Sequence, residues 1–353
     1  RELRTQAWTR GLDIIAELGL IDDADRTYVN GRLIGQMGDF ADKRKSAWNR
    51  DRRYIVSAGI LKYDAPNFVA VNVKDFTGLG GMLGRPWFGA VLPMEGTCLF
   101  RAGNLPPNEA APANCDETEW ERVSLPDVQF DKRVMTRPGW GWYRVRFSVP
   151  EAVQGMDLLV DLGTVYDSAE CYLNGSRVGA CGRVPPKVFQ QTAGRLRTVF
   201  PASALRATDN ILAMRVYREV GFGGIVGLPC VDFEFEARLL PHGATLTDWV
   251  QSLLREPVHT DLAVQLSEFL LGAEKFEETI TLCKAASEAA PADSYARQRA
   301  LGRIVYAQWS LGAPTKAWQT FQRLDFAKPI PYEAAHAAAK CCESGVVSPP
   351  DIA

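Results

Sequence analysis

The sequence predicts a multidomain β + α protein, in which two antiparallel β-sandwiches are followed by an α-helical repeat domain. Three observations lead to this fold class. The first two-thirds of the chain contain an internal duplication, and the duplicated unit has strand and hairpin patterns. From about Thr245 the composition changes to alanine, leucine and glutamate at helical spacing. A repeat of this size determines the domain organisation.

The duplication has a shift of 144 residues, from Gly11 to Gly155. Residues 11–19 lie over 155–163, with glycine, aspartate and apolar positions in the same order. After a deletion of one residue, the match resumes at Asn67 and Asn210 and continues through a glycine-rich stretch to a shared proline. Matches in this order and at this spacing indicate two copies of one domain.

Each copy is predicted to consist of β-strands. Asn30-Gly31 and Asn174-Gly175 each separate two short strand-like runs. Asn-Gly favours a type I′ hairpin turn, because both central residues of that turn need a positive φ. Residues 142–149 alternate between apolar and polar side chains, as strands do. Short strands separated by turns favour an antiparallel sandwich over a parallel α/β sheet.

The alignment of the two copies predicts the domain boundaries. We expect a first sandwich over residues 1–95, a linker over 96–117, a second sandwich over 118–240 and a helical domain over 244–353. Residues 1–5 lie over the end of a strand of the second copy, and the first copy has no counterpart of the beginning of that strand. A sandwich without its leading strands has an open edge, so we expect this chain to begin within a domain of a longer protein.

The last third is predicted to form pairs of amphipathic helices. One pair covers residues 261–271 and 276–289, and the next covers 294–311 and 315–324. The second helix of the first pair and the chain just after it carry small, large, small and proline residues at the spacing typical of the end of a tetratricopeptide unit. These residues are Thr279, Cys283, Ala286 and Pro291.

A further helix over residues 332–342 has no partner helix after it in the sequence. Helical pairs of this type bury one face only by stacking on a neighbour. We therefore expect its alanine-rich face to be exposed and to contact a protein partner or an extension of the same chain. The residues of this face are Ala334, Ala335, Ala338 and Cys341.

Composition excludes several functional classes. Lysine plus arginine number 40 and aspartate plus glutamate 42, so a net charge of −2 gives no reason to expect a nucleic-acid partner. No apolar run approaches the roughly 18 residues that span a bilayer, so no membrane insertion is expected. The eight cysteines contain no C-x-x-C pair and the histidines number only three, so we expect no metal and no cofactor. Nothing indicates a structural calcium ion.

Aromatic and charged side chains near predicted loops are the candidates for ligand binding. Sugar recognition combines an aromatic face for the C–H side of a ring with planar charged groups for the hydroxyls. For each aromatic residue, packing in the core or at a sheet edge is the alternative role. No nucleophile motif such as Gly-x-Ser-x-Gly is present, so no catalytic residue is assigned. The candidates are Trp48, Arg50, Arg53, Tyr54, Asp75, Trp87, Trp140, Trp142 and Arg218.

A family resemblance accompanies these motifs. The first copy carries it in residues 22–31, in Arg53-Tyr54 and in residues 67–73 with the following Gly-Gly. These residues resemble the galactose-binding-like β-sandwich of bacterial sialate O-acetylesterases and the sugar-binding domain of glycoside hydrolase family 2. The second copy, from Trp120 to Gly223-Gly224, is similar to the same module. The resemblance implies jelly-roll sandwiches, often secreted or periplasmic, attached to carbohydrate-active enzymes, and it transfers no catalytic residue.

Two functions are compatible with the sequence. In the first, the chain is a non-catalytic carbohydrate-binding or scaffold segment of a larger protein that is extracellular, periplasmic or in the cell envelope. Its partners would then be a glycan and, through the helices, a protein. In the second, it is an accessory portion of a carbohydrate-active hydrolase whose catalytic domain lies outside these residues. A catalytic block elsewhere in the open reading frame would favour the second.

Overall fold

The computed structural model describes residues 2–78, 80–83, 86–125, 127, 130–134, 138–186, 191–219, 223–232, 244–255, 259–343 and 345. Antiparallel sheets occupy the first two-thirds of the chain and helices the last third, so the multidomain β + α fold class is confirmed. The predicted domain ends at residues 1, 240 and 353 lie outside the described residues.

The strands of the first repeat belong to two sheets. They are β1 (Glu2–Leu3), β2 (Ile14–Asp22), β3 (Ala24–Val29), β4 (Arg32–Met37), β5 (Asp51–Val56), β6 (Asn67–Lys74), β7 (Gly81–Met82) and β8 (Trp87–Val91). One sheet has the order β1-β6-β3-β4, whereas β2, β5 and β8 belong to a larger sheet. An apolar cluster between them contains Ile14, Val29 and Phe88, each fully buried.

The strands of the second repeat form most of the larger sheet. They are β9 (Met94–Ala102), β10 (Glu121–Val123), β11 (Gly139–Phe147), β12 (Leu158–Leu173), β13 (Ser176–Cys181), β14 (Gln191–Phe200), β15 (Asn210–Arg218), β16 (Gly224–Val226) and β17 (Cys230–Asp232). Strand β12 is long enough to pair with β13 and β15 at one end and with β14, β16 and β17 at the other. The core of this repeat is built around Tyr143, Phe147 and Phe200.

The two repeats share one continuous sheet through β8 and β17. These strands occupy equivalent positions in the duplicated sequence, and they pair antiparallel, with Gly89 opposite Asp232. The sandwiches are therefore joined by backbone hydrogen bonds as well as by side chains.

The predicted linker over residues 96–117 is wrong in its first part. Strand β9 extends to Ala102 and pairs with both β11 and β10, so it is an integral strand of the second repeat. The remainder contains one short helix, α1 (Pro107–Ala110), which packs on the outer face of the same sheet. Alternating apolar residues of β9, among them Cys98 and Phe100, are buried in the core of the second repeat.

The two Asn-Gly turns lie at the tips of hairpins with the same hydrogen bonds. Asn30 has a φ of 50° and Asn174 a φ of 51°, and the following glycines also have positive φ. The Asn30 amide donates to Asn67 Oδ1 at 2.8 Å, and that of Asn174 donates to Asn210 Oδ1 at 3.0 Å. In both repeats the turn asparagine also accepts from the backbone of the residue after the second asparagine. Each turn is thus tied to a distant strand rather than to its own hairpin alone.

The helices of the last third are α3 (Leu246–Arg255), α4 (Thr260–Gly272), α5 (Phe276–Ala289), α6 (Tyr295–Ser310), α7 (Pro314–Phe321) and α8 (Tyr332–Glu343), and the earlier α2 (Phe130–Arg133) lies in the second repeat. None of the helices in the described part of the chain is long and apolar enough to cross a membrane. Their apolar faces share one core, which includes Trp249, Phe269 and Leu282.

The helical region packs directly on the second repeat. Leu159 and Val199 of the sheet belong to the same apolar cluster as Trp249 and Val250 of α3. At the end of α4, Gly272 lies so close to β14 that a Cβ atom there would be 1.6 Å from the Arg197 carbonyl oxygen. Only a residue without a side chain allows this approach. The helices are therefore held against the sandwich at a fixed position.

The expectation of an exposed face on α8 is wrong. Ala334 and Cys341 are fully buried, and Ala338 is 2% exposed, because α8 packs on α6 and α7. Ala335 lies on the flank of this buried face and is exposed. Helical spacing predicted one shared face for the four residues, but the packing of α8 on α6 and α7 buries three of them.

The turn geometry predicts a large effect of a β-branched residue at position 174. Asn174→Val would force a β-branched residue into the left-handed region and remove three hydrogen bonds of the side-chain amide, so we expect a loss of about 2–4 kcal/mol of unfolding free energy. Asn174→Gly keeps the backbone conformation and should cost less. Urea denaturation measures both, with the exposed strand variant Ser176→Val as the matched control. Equal stability of Asn174→Val and the control would contradict the structural role of this turn.

Candidate functional site

A cleft of about 420 Å³ lies where both repeats and the helical region meet. Trp87 at the start of β8 and Arg197 on β14 form the sheet side of the cleft. Helices α4 and α6 form the other side, and their lining residues include Asp261, Gln265, Glu268, Tyr295 and Arg299. The cleft therefore combines aromatic, carboxylate, amide and guanidinium groups from distant parts of the sequence.

Helical periodicity places the polar residues on one side. Asp261, Gln265 and Glu268 are spaced by four and three residues on α4, so they share the face that is turned toward the sheet. Tyr295 and Arg299 are one turn apart at the start of α6. The Arg299 guanidinium lies 5.9 Å from the centre of the Tyr295 ring. Tyr295 is 62% exposed and is the accessible aromatic residue of the cleft.

A network of ion pairs connects the three parts of the molecule behind this cleft. Glu268 of α4 pairs with Arg197 of β14 and with Arg299 and Arg303 of α6. Arg197 also pairs with Asp161 of β12 at 2.9 Å. The network continues through Arg195, which contacts both Asp161 and Glu17 of the first repeat. The network ends with the Glu17–Arg53 pair in the first repeat and with the Arg303–Glu333 pair between α6 and α8.

Electrostatics hold the central carboxylates in their ionised form. Burial alone would raise the pKa of Glu268, but the guanidinium groups of Arg197, Arg303 and Arg299 outweigh it and lower this pKa to about 2. Asp161 is likewise buried, and Arg195 and Arg197 keep its pKa well below the usual range. Each carboxylate thus stays charged because several guanidinium groups replace the lost water.

Glu17 behaves differently. Burial raises the pKa of this carboxyl group, and the opposing effects of Arg195 and Arg53 are too small to cancel it. The distances agree with this, because the nearest nitrogens of Arg195 and Arg53 lie 3.2 and 3.8 Å from Glu17 Oε2. Glu17 is therefore the most weakly paired acid of the network.

Trp87 is fixed within this network. Its indole Nε1 donates to Asp232 Oδ2 at 2.5 Å, and Gln265 of α4 donates to the same oxygen at 3.3 Å. The guanidinium carbons of Arg195 and Arg197 lie 5.1 and 5.6 Å from the centre of the ring. Because Trp87 is only 5% exposed, it forms the floor of the cleft and leaves little of its face for a ligand.

The predicted ligand residues do not form one site. Arg53 and Trp87 lie at the junction, with Arg53 donating to the Leu228 carbonyl at 3.2 Å. Tyr54 is buried and donates to Asp25, which is itself paired with the buried Arg52. Trp48, Arg50 and Asp75 are exposed in loops of the first repeat.

The remaining predicted residues lie in the second repeat. Trp140 is half-buried, with its ring 4.7 Å from that of Tyr217 and 4.1 Å from the Arg215 guanidinium. Trp142 is fully buried and donates to the Leu105 carbonyl at 3.2 Å. Arg218 is 1% exposed and donates to the Val134 carbonyl at 2.5 Å. For Trp142 and Arg218 the structure therefore shows packing roles inside the repeat.

Sequence reasoning missed most residues of the junction. A signal was present in the alternation of Arg195 and Arg197 on a strand and in the one-turn spacing of Arg299 and Arg303 on a helix. Glu268 likewise interrupts an apolar helical run. Charged residues at positions that should be buried suggest paired burial. Their partners are distant in sequence, so the pairs themselves had no local signature.

Comparisons with known proteins give only partial structural similarity. No protein-family model matches the chain, and no curated protein matches it. A beta-glucuronidase from Bacteroides uniformis is similar with 23% identity and a TM-score of 0.30, over 38% of this chain and 16% of that one. A Bifidobacterium dentium beta-glucuronidase has 26% identity and a TM-score of 0.29, over 37% and 20%. A beta-glycosidase from Bacteroides vulgatus has 15% identity and a TM-score of 0.30, over 40% and 19%.

The extent of this similarity is small. The aligned part spans a fifth or less of the length of each of these glycosidases. A beta-glucuronidase described as a member of glycoside hydrolase family 2 is matched over 14% of its length, with a TM-score of 0.28. At TM-scores of 0.30 and below, the similarity gives no basis for transferring a substrate or a mechanism to this chain.

Removing the central acid tests the network. Glu268→Gln leaves three guanidinium groups without their shared partner, and we expect a loss of about 3 kcal/mol of unfolding free energy near neutral pH. The pKa of Glu268 is lowered from 4.5 to about 2, so its stabilising effect is complete above 4.5 and disappears as the pH falls toward 2. Denaturation of both proteins over this range measures the difference. A difference that does not shrink on acidification would contradict the assignment.

Proposed function

We propose that this chain is a non-catalytic carbohydrate-binding and scaffold segment, with its ligand site in the junction cleft. The observation that carries the proposal is the combination of the exposed Tyr295 ring with planar polar groups around a concave space. Clefts of a few hundred Å³ with a few convergent polar groups are typical small-molecule sites. A pyranose fits this chemistry, because its C–H face packs on an aromatic ring and its hydroxyls bind carboxylates and amides.

The polar groups differ in their availability to a ligand. Glu268 is occupied by three arginines, and the Gln265 amide nitrogen is bonded to Asp232. Asp261 is exposed and has no ion pair within the described part of the chain. We infer that Asp261, the Gln265 carbonyl oxygen and the Tyr295 hydroxyl are the groups that bind sugar hydroxyls.

The carboxylates of the cleft favour binding over hydrolysis. Glycoside hydrolysis needs a general acid with a raised pKa beside a second carboxylate. Glu268 has its pKa lowered to about 2 by its arginines, which makes it a poor proton donor near neutral pH. Glu17 has a raised pKa but lies behind the cleft, 9% exposed. These observations support a binding role and agree with the lack of a nucleophile motif in the sequence.

The scaffold part of the proposal rests on the junction. The shared sheet, the ion pairs and the close contact at Gly272 hold the repeats and helices in one arrangement. Such a segment would present a glycan at a fixed distance from neighbouring domains of a larger, extracellular, periplasmic or cell-envelope protein.

Binding of neutral glycosides by the intact protein tests the proposal. A glycan array identifies the preferred sugar, and isothermal titration then compares wild-type protein with Tyr295→Ala and Asp261→Ala. We expect each variant to weaken binding at least about tenfold, since each loses a stacking face or a charged hydrogen-bond acceptor. Tyr332→Ala is the matched control, because Tyr332 is an exposed tyrosine of α8 outside the cleft lining. Unchanged affinity in both cleft variants would contradict the proposed site.

A further inference from the structure

The segment over residues 103–120 forms a second concave surface, on the outer face of the second repeat. A cavity of about 310 Å³ lies beneath it and is lined by Arg101, Leu105, Asn108, Asn114, Cys115 and Trp120, with two carboxylates, Glu109 and Asp116, at the rim. This surface is separate from the junction cleft, because the two share no lining residue. The segment was expected to be a linker, so a cavity here was not anticipated.

Buried anchors hold this segment in place. Trp142 donates from its indole nitrogen to the Leu105 carbonyl at 3.2 Å, and Arg144 donates to the Ala110 carbonyl at 2.5 Å. Glu117 accepts from both Arg144 and Arg146 at 3.0 Å. A small apolar cluster that includes Ala110 and Trp120 fills the space between segment and sheet. The cavity walls are therefore organised before any ligand binds.

The polar side chains at the rim are available. Asn108 and Asn114 are exposed and make no hydrogen bond to any residue that the structure describes. Each offers two donors and an acceptor in one plane. Trp120 is 8% exposed, and its Nε1 has no acceptor among the described residues. A shielded donor without a partner needs an acceptor from outside the protein, such as a water molecule or a ligand oxygen.

The charges around the cavity favour an uncharged ligand. Arg101 is paired with Glu119, so its charge is compensated. The Asp116 carboxylate accepts from the Thr118 amide at 3.0 Å, and this backbone hydrogen bond lowers its pKa and keeps it ionised. With Glu109 also at the rim, an anionic ligand would meet repulsion.

We propose that this cavity is a second carbohydrate site, which binds a neutral pyranose between Trp120 and the amides of Asn108 and Asn114. Its volume lies at the lower end of the range of small-molecule sites and suits a single sugar ring better than a long oligosaccharide. The site is independent of the junction cleft, so failure of one site leaves the other standing.

Protection of Cys115 from alkylation tests the site directly. Cys115 lines the cavity and is half-buried, whereas Cys342 in α8 is half-buried and does not line it, so each protein carries its own internal control. Burial raises the pKa of the Cys115 thiol, so the reaction is followed at mildly alkaline pH by peptide mass spectrometry. The probes are methyl β-D-glucopyranoside and methyl β-D-galactopyranoside, with the anionic methyl β-D-glucuronide for comparison.

We expect a neutral glycoside at ten times its dissociation constant to slow alkylation of Cys115 about tenfold and to leave Cys342 unchanged. This protection should persist in Tyr295→Ala and in the exposed control Asn49→Ala, and it should be lost in the double variant Asn108→Ala/Asn114→Ala. Trp120→Phe keeps an aromatic ring and deletes the donor, so it should weaken protection without loss of stability.

Three results would overturn the proposal. One is the absence of protection by both neutral glycosides in the wild-type protein. Another is protection that survives in the double asparagine variant or disappears in Tyr295→Ala, since the sugar would then act from elsewhere. The last is equal protection by the glucuronide, which would contradict the uncharged ligand class.

Discussion

Two carboxylate–guanidinium pairs at equivalent strand positions are the constraint on which the arrangement of this molecule depends. Glu17 lies opposite Arg53 across β2 and β5, and Asp161 lies opposite Arg197 across β12 and β14. The 144-residue shift between the two sequence copies aligns Glu17 with Asp161 and Arg53 with Arg197. Where β8 meets β17 the two pairs approach each other, and Arg195 connects them. Unpaired buried charges would be costly, and the contacts of Arg195 with both acids therefore tie the two repeats together at the junction.

Glu268 extends this network from the sheets to the helices. Its three arginines come from a strand and from a second helix, so the position of α4 is set by charge as well as by apolar packing. The contact of Gly272 with β14 also fixes the position of α4, because it allows α4 to approach the strand that carries Arg197. The junction cleft owes its shape to these contacts, and its aromatic floor, Trp87, is held by Asp232 from the other repeat.

The two repeats share their strands and hairpin turns, but different segments pack on their outer faces. The asparagine hydrogen bonds at the hairpin tips are the same in both, so each turn is tied to its distant strand in the same way. On the outer face, Phe68 in β6 is 59% exposed, whereas the matching Ile211 in β15 is 1% exposed. Additional strands and the segment over residues 103–120 extend the sheet of the second repeat and form the second cavity. A shared arrangement of strands with different segments on its outer face gives the chain two distinct surfaces.

The local elements follow from neighbouring residues along the chain. The Asn-Gly turns require positive φ, and alternating or helical spacing predicted strands and helices close to those observed, including α5 over Phe276–Ala289. These features depend on neighbouring residues and are therefore visible in sequence. Which side chains meet was decided only by the tertiary structure. Arg197 and Glu268 are 71 residues apart, and Trp142 became a buried anchor because a distant segment covers it. Such contacts depend on how sheets and helices pack, and no local pattern records that packing.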